Sequence, residues 1–404
     1  MKKMRFISFV VALVLIISSL AACSKPASET KETKAETTAE TKAETSAETK
    51  AEGETTASSG GALGIEGLKV GAITTLTKDD GGWCQAQYVG ITDAMKNLGM
   101  SDDQLIFAEE IAEEGSDSKS MVEQLIADGC NIIIGASSGY KDMIASVAPD
   151  HPDILFMQFN GVVLDNAIGY AVRDYQSMFL MGYLAALKDL DIGGTGNLGY
   201  SAGQPEASVV RGINAFALGA KYANPDAKVT VQWANSWYDP AAETECAKTL
   251  IQSGVKVMGI NASSPAIAQA NGEAGTFCTG YHQDMKEYAP GAVLSSHIWN
   301  WGPIFTDAFQ KFADTGKPEG SYMLYGQDKG CPTIAPINMD IVSQEIADKV
   351  LDLQEKIKSG EFECLAGEIK DNEGNVIVPE GEVMSDEKMM DMGMLVENVN
   401  GKLP

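Results

Sequence analysis

A series of short loops holds most of the residues in this chain that could grip a small molecule. They are Asp79-Asp80-Gly81-Gly82-Trp83, Ser137-Ser138-Gly139-Tyr140, Gln204-Pro205-Glu206, Asn235-Ser236-Trp237-Tyr238-Asp239-Pro240, Ala262-Ser263-Ser264-Pro265, Gly280-Tyr281-His282-Gln283-Asp284 and Trp299-Asn300-Trp301-Gly302-Pro303. Four of the five tryptophans fall in them. Aromatic faces stack on flat rings, and the interspersed carboxylates, hydroxyls and amides hydrogen-bond a ring's edge. Such a set suits non-covalent capture of a planar, hydrogen-bonding heterocycle such as a purine. The ligand contacts expected are Trp83, Tyr140, Glu206, Asn235, Trp237, Ser264, Asp284 and Trp301. No phosphate-binding P-loop and no His-Glu-x-x-His motif occurs. His282 with Asp284 is the one conceivable acid–base pair, so no catalytic residue is assigned, and a nucleoside-processing enzyme stands as an alternative. Sugar sites also use tryptophan faces and carboxylates, which keeps a sugar binder, or a sensory binding protein, as rivals.

Most of these residues have a plainer role open to them. Trp237 and Trp299 could pack parts of the fold together. Glu206 could complement a helix dipole, Asp79 and Asp80 could form turns, and Asp284 could cap the segment after it. His282 could be exposed or simply packed. Trp83 fits no such role easily, because an indole beside two loop glycines is costly unless its face meets something.

Charge narrows the classes further. Thirty Lys and Arg stand against 56 Asp and Glu in 404 residues, a formal net charge of -26. Phosphate backbones need clustered cations, so nucleic acid is not an expected partner. With 3 His, 7 Cys and no Cys-x-x-Cys, neither a metal site nor a cofactor is assigned, and no disulfide framework is expected.

The loops need a scaffold, and the chain supplies one twice. Apolar, β-branched runs at 69–75, 104–108, 131–136, 154–158 and 168–172 alternate with helical spacing at 86–98 and 118–128, and a long helical stretch follows at 175–190. The same alternation resumes at 196–200 and continues to 276–281. Short, fully apolar strands between helices imply parallel sheets covered on both faces. Open sheets of this kind bind ligands beyond the carboxyl ends of their strands, where the loops above fall. Two such sheets predict an α/β protein of two lobes with a cleft between them. Residues 63–192 with part of 293–332 would form one lobe, and 193–292 with part of 333–404 the other.

The first 62 residues have a different chemistry. Lys2, Lys3 and Arg5 precede an apolar run from Phe6 to Leu20, too short to span a bilayer, so 1–22 reads as a secretory signal. Leu20-Ala21-Ala22-Cys23 resembles the lipobox of bacterial lipoproteins, which implies a diacylglyceryl group on Cys23. Residues 23–62 repeat Ala-Glu-Thr units without an apolar stripe, and Glu36, Glu40, Glu44 and Glu48 would repel one another in a helix. This segment reads as a solvated tether that spans roughly 35 Å on average.

From about residue 67 to 358 the chain resembles the basic membrane protein family of solute-binding lipoproteins of ABC importers. The resemblance rests on Asp80-Gly81-Gly82-Trp83, on Pro205-Glu206-Ala207-Ser208-Val209-Val210-Arg211-Gly212-Ile213-Asn214-Ala215-Phe216, on Asn235 to Pro240 and on Asn300 to Pro303. It implies the bilobal type I periplasmic-binding-protein fold, no enzymatic activity, a purine base or nucleoside as ligand, and an ABC permease as partner. It also implies a monomer held at the extracytoplasmic face of the cell membrane by lipid alone. Trp83-Cys84 replaces the wider family's Phe-Asn, and His282-Gln283-Asp284 keeps only the second carboxylate of a ribose-associated Asp-x-Asp, which favours a free base. Cys23→Ser is expected to release the protein from membranes without changing ligand affinity, because lipid contributes about 0.8 kcal/mol per buried methylene and the tether adds nothing apolar. Firm membrane retention of that variant on cell fractionation would refute the anchor.

Overall fold

A computed structural model describes residues 61–404. The signal segment 1–22, Cys23 and nearly all of the tether 23–62 lie outside the described residues. The chain runs β1 (Val70–Ile73), α1 (Trp83–Leu98), β2 (Leu105–Ala108), α2 (Asp117–Ala127), β3 (Ile132–Gly135), α3 (Lys141–Val147), β4 (Leu155–Phe159), β5 (Ala167–Val172) and α4 (Asp174–Asp191). It continues through β6 (Asn197–Ala202), α5 (Ala207–Ala223), β7 (Lys228–Trp233), α6 (Pro240–Gln252), β8 (Val257–Asn261), α7 (Ala266–Ala274), β9 (Phe277–Gly280) and β10 (Val293–Ile298). The last part holds α8 (Gly302–Thr315), β11 (Ser321–Tyr325), β12 (Thr333–Ile334), α9 (Gln344–Lys358), a hairpin of β13 (Ile369–Lys370) and β14 (Val376–Val378), α10 (Asp386–Met390) and β15 (Val399–Asn400).

Two sheets result, in the orders β11-β5-β4-β3-β1-β2 and β12-β10-β9-β8-β6-β7-β15. Pairing is parallel throughout except at β10–β12. Inner strands of both sheets are largely apolar and buried on both faces: Val70–Ile73, Ile132–Gly135 and Val257–Asn261 have no exposed position. Two edge strands were not legible in the sequence. β11 is only partly buried and joins β5 from far along the chain, and β15 is a two-residue strand set against β7.

Three segments cross between the sheets. The first is Arg173, whose backbone N–H donates to Tyr325 O and whose Nη1 donates to Leu324 O. The sequence reading ended the first lobe at residue 192, but α4 packs on α5, β8 and β10 of the second sheet. The other crossings are Trp299–Trp301, between β10 and the α8 that lies on α1, and Gly326–Cys331, between β11 and β12.

The α4–α5 contact has no room for side chains at its closest points. A Cβ on Gly182 would stand 1.8 Å from Phe216 O, and one on Gly219 2.0 Å from Phe179 O. A buried ion pair fixes the same two helices, with Arg211 Nε 2.6 Å from Asp174 Oδ1. Asn214 then holds the tail: its Nδ2 donates to Met394 O and its Oδ1 accepts from Val396 N. Gly182→Ala should destabilise the protein by about 1–3 kcal/mol or more, read as a lowered Tm. An unchanged melt would contradict backbone-to-backbone packing of these helices.

Candidate functional site

The carboxyl ends of both sets of strands face one another, and left-handed residues mark them. Every positive-φ non-glycine residue among the described residues follows a strand end: Glu110, Asn160, Asn235, His282 and Asn300. Asparagine tolerates this region better than most residues, and such local strain concentrates where a side chain has to be aimed.

Asp80 builds the first loop. Its Oδ1 accepts from Gly82 N at 2.8 Å and Gln85 N at 3.0 Å, and its Oδ2 accepts from Cys84 N at 3.1 Å. These bonds start α1 at Trp83, whose half-buried indole donates from Nε1 to Ala136 O at 2.6 Å. Its ring centroid lies 4.6 Å from Phe159, 5.3 Å from Trp299, 5.7 Å from Trp301 and 6.2 Å from His282.

Trp299 and Trp301 stack 5.2 Å apart at an interplanar angle of 11°. Asn300 between them is left-handed (φ 49°), which bends the chain as it leaves β10 for α8. Trp301 is wholly buried because α1 comes very close: a Cβ on Gly90 would meet Trp301 Cβ at 2.4 Å. Tyr170 and Phe305 continue the aromatic packing into the first lobe.

The second lobe supplies imidazoles. Trp299 Nε1 donates to His282 Nδ1 at 2.7 Å, His282 Nε2 lies 3.3 Å from Ser263 Oγ, and His297 Nδ1 lies 2.6 Å from Ser177 Oγ. Burial lowers the His282 pKa from 6.5 to about 3 and takes His297 well below its ordinary value. The lobes touch beside this group. Gln283 Nε2 donates to Gly81 O at 2.7 Å and to Gln85 Oε1 at 3.2 Å, and a Cβ on Gly82 would lie 2.6 Å from Ser263 O.

The eight expected ligand residues separate into three groups. Trp83 and Trp301 meet in the aromatic cluster between the lobes, where Trp83 is half-buried but Trp301 has no exposed surface, which corrects the expectation of a ligand contact there: it backs the cluster from within. Glu206, Asn235, Trp237 and Asp284 are exposed on the second lobe, with Trp237 48% accessible. The Glu206 carboxyl is raised above its ordinary value by partial loss of water and by the Glu113 carboxylate of the first lobe. Asp284 Oδ1 accepts from Lys286 N, the plainer role foreseen for it. Tyr140 and Ser264 correct the reading. The Tyr140 ring is sealed in the first lobe's core and its hydroxyl donates to Ile111 O, while the Ser264 hydroxyl is buried against the Glu243 carboxylate. Phe159, Ser263 and Gln283 were not chosen from the sequence, although Phe159-Asn160-Gly161 follows a strand end as the other loops do.

Two stretches carry the Gly-x-Ser-x-Gly spacing of a nucleophile elbow, Gly135 to Gly139 and Gly199 to Gly203. Neither is one. Ser201 lies buried inside β6, and the Ser137 hydroxyl donates to Glu113, with no histidine bonded to either.

Two parallel α/β lobes, joined by three crossings beside an aromatic cluster, are those of the type I periplasmic-binding fold of solute-binding proteins. Residues 68–368 match the family described as ABC transporter substrate-binding protein, PnrA-like (Bmp), and the chain belongs to that family, whose members are binding proteins of ABC transporters and not enzymes. A purine-binding protein of Brucella abortus is 32% identical over 347 residues, covering 85% of this chain and 96% of that one. A putative ABC transporter glucose-binding protein of Haloferax volcanii is 31% identical over 290 residues, covering 72% of this chain and 70% of that one. Among solved structures, a solute-binding protein of an ABC transporter system from Aeropyrum pernix superposes with a TM-score of 0.63 at 18% identity, over 80% of this chain and 95% of that one.

The neutral imidazoles make stability depend on pH. In the unfolded chain His282 takes up a proton near its ordinary value of 6.5, but in the fold only at about 3, so its contribution is complete above about pH 6.5 and is lost as pH falls through that window. Melting temperature should therefore fall already between about pH 6.5 and 4.5, before carboxylates dominate, and His282→Gln should flatten part of that fall. A level profile over this range in the parent protein would contradict a neutral, buried His282.

Proposed function

We propose that this chain captures a purine base or nucleoside between its lobes and presents it to an ABC import permease. In this reading it works as a monomer tethered by lipidated Cys23 to the extracytoplasmic face of the cell membrane. The observation that carries the ligand class is the pair of half-buried rings Trp83 and Phe159 where the two lobes meet, backed by the buried stack of Trp299 on Trp301. Flat aromatic faces reward a flat ring, at about 1–3 kcal/mol per stacked base.

The nearby carboxylates weigh in the same direction. Asp80 is committed to the backbone of its own loop, Asp284 to Lys286 N, and Glu243 to Ser264. A polyol needs several free charged acceptors, whereas a heterocycle needs stacking and a few neutral donors and acceptors. The name of the Brucella relative supports a purine, and that of the Haloferax relative makes glucose the arm against which the purine is tested. No helix among the described residues is long and apolar enough to cross a membrane, so in this reading the anchor falls to Cys23.

Thermal melts with adenine, guanine, hypoxanthine, adenosine, glucose and leucine test the ligand class. A ligand at a hundredfold excess over its Kd stabilises the folded state by about 2.7 kcal/mol. The shifts are expected with purines only, and a response to glucose with none to purines would overturn the reading. Trp83→Ala should weaken purine binding by about tenfold to a hundredfold. It should also lower the melting temperature without ligand, because Trp83 anchors on Ala136 O.

A further inference from the structure

The contact between Trp299, His282 and Ser263 has a direction. An indole N–H only donates, so His282 Nδ1, 2.7 Å from Trp299 Nε1, carries no proton. An imidazole with Nδ1 bare is neutral and holds its one proton on Nε2. That proton points to Ser263 Oγ at 3.3 Å, which is thereby the acceptor. The serine's own proton is left over, and no side-chain or backbone acceptor among the described residues takes it. Its neighbour Ser264 differs in this respect, since its proton is committed to Glu243.

Ser263 also stands where the lobes meet. Its backbone and Cβ lie within about 3 Å of where a side chain on Gly82 would begin, next to Trp83, and the His282 ring lies 6.2 Å from the Trp83 ring. A donor of fixed polarity therefore sits beside the aromatic faces. We propose that Ser263 is a specificity-determining ligand contact, a hydroxyl held as donor by the Trp299–His282 relay, and that it takes an unprotonated ring nitrogen or a ring carbonyl of the bound heterocycle. Ser263 touches the ligand; His282 and Trp299 are positioning residues that act through it. This inference rests on the purine reading and specifies which edge of the ring is recognised.

The test uses the mature protein and adenine with its 1-deaza, 3-deaza and 7-deaza analogues, each of which replaces one ring acceptor by C–H. By calorimetry, one analogue should bind about three- to tenfold more weakly than adenine, the loss of one hydrogen bond. Ser263→Ala should bind adenine as weakly as the parent binds that analogue and should no longer distinguish the two, while Ser263→Thr, which keeps the hydroxyl, should restore the difference. Nitrogen-15 NMR of the histidines in the ligand-free protein should show His282 as the Nε2–H tautomer, and Trp299→Phe should remove that constraint. A deaza penalty that survives in Ser263→Ala, or an Nδ1–H tautomer in the parent, overturns the relay and leaves the purine reading standing. Failure of every purine to bind a protein with the Nε2–H tautomer overturns the purine reading and supports the relay's polarity.

Discussion

The stack of Trp299 on Trp301 is the contact on which the arrangement of the two lobes depends. The residues leave the end of β10, in the second sheet, and enter α8, which lies against α1 of the first. Their rings therefore touch both halves: Trp83, Phe159 and Tyr170 on one side, Tyr281, His282 and His297 on the other. Two local conditions permit it. Asn300 takes a left-handed conformation that bends the chain between the two rings, and Gly90 lets the α1 backbone approach where any side chain would collide with Trp301. With these met, a large apolar surface is removed from water at the crossing.

Polarity around that stack follows from dehydration. Imidazoles shut away from water lose their proton, so His282 and His297 serve as neutral hydrogen-bonding rings. The carboxylates of the same loops are mostly consumed in building the loops, Asp80 above all, whose two oxygens organise the turn into α1. The boundary between the lobes is consequently aromatic and neutral near the crossing, and Glu206 and Asp284 are exposed on the second lobe.

The second lobe is stiffened from behind. Gly182 and Gly219 allow α4 and α5 to meet backbone to backbone, and the Asp174–Arg211 pair, 4% exposed or less on both sides, fixes their rotation. Breaking one partner of such a pair leaves a buried charge uncompensated, so Asp174 and Arg211 constrain the crossing at Arg173 as well as the helices. The motif from Pro205 to Phe216, which marks the family resemblance, is thus largely architectural: Arg211 and Asn214 hold α4 and the tail, and only Glu206 faces the cleft side.

The sequence by itself determined the doubly wound character of the two halves, because continuous apolar strands such as Ile132–Gly135 can be satisfied only by burial on both faces. It also determined which loops would gather at one edge of each sheet, since parallel strands place their following loops there. The position of Trp83 at such an edge was legible for this reason, whereas the full burial of Trp301 was not. Tertiary structure decided what each loop residue does there. Tyr140 and Ser264 follow strand ends as Trp83 does, yet the first turns inward to Ile111 O and the second to Glu243. Partners such as these lie 29 and 21 positions away along the chain, and the edge strand β11 finds β5 across a longer interval still. Spacing along a chain reports which face of an element a residue occupies; the partner that claims its polar atoms is set by long-range packing, and local pattern carries no record of it.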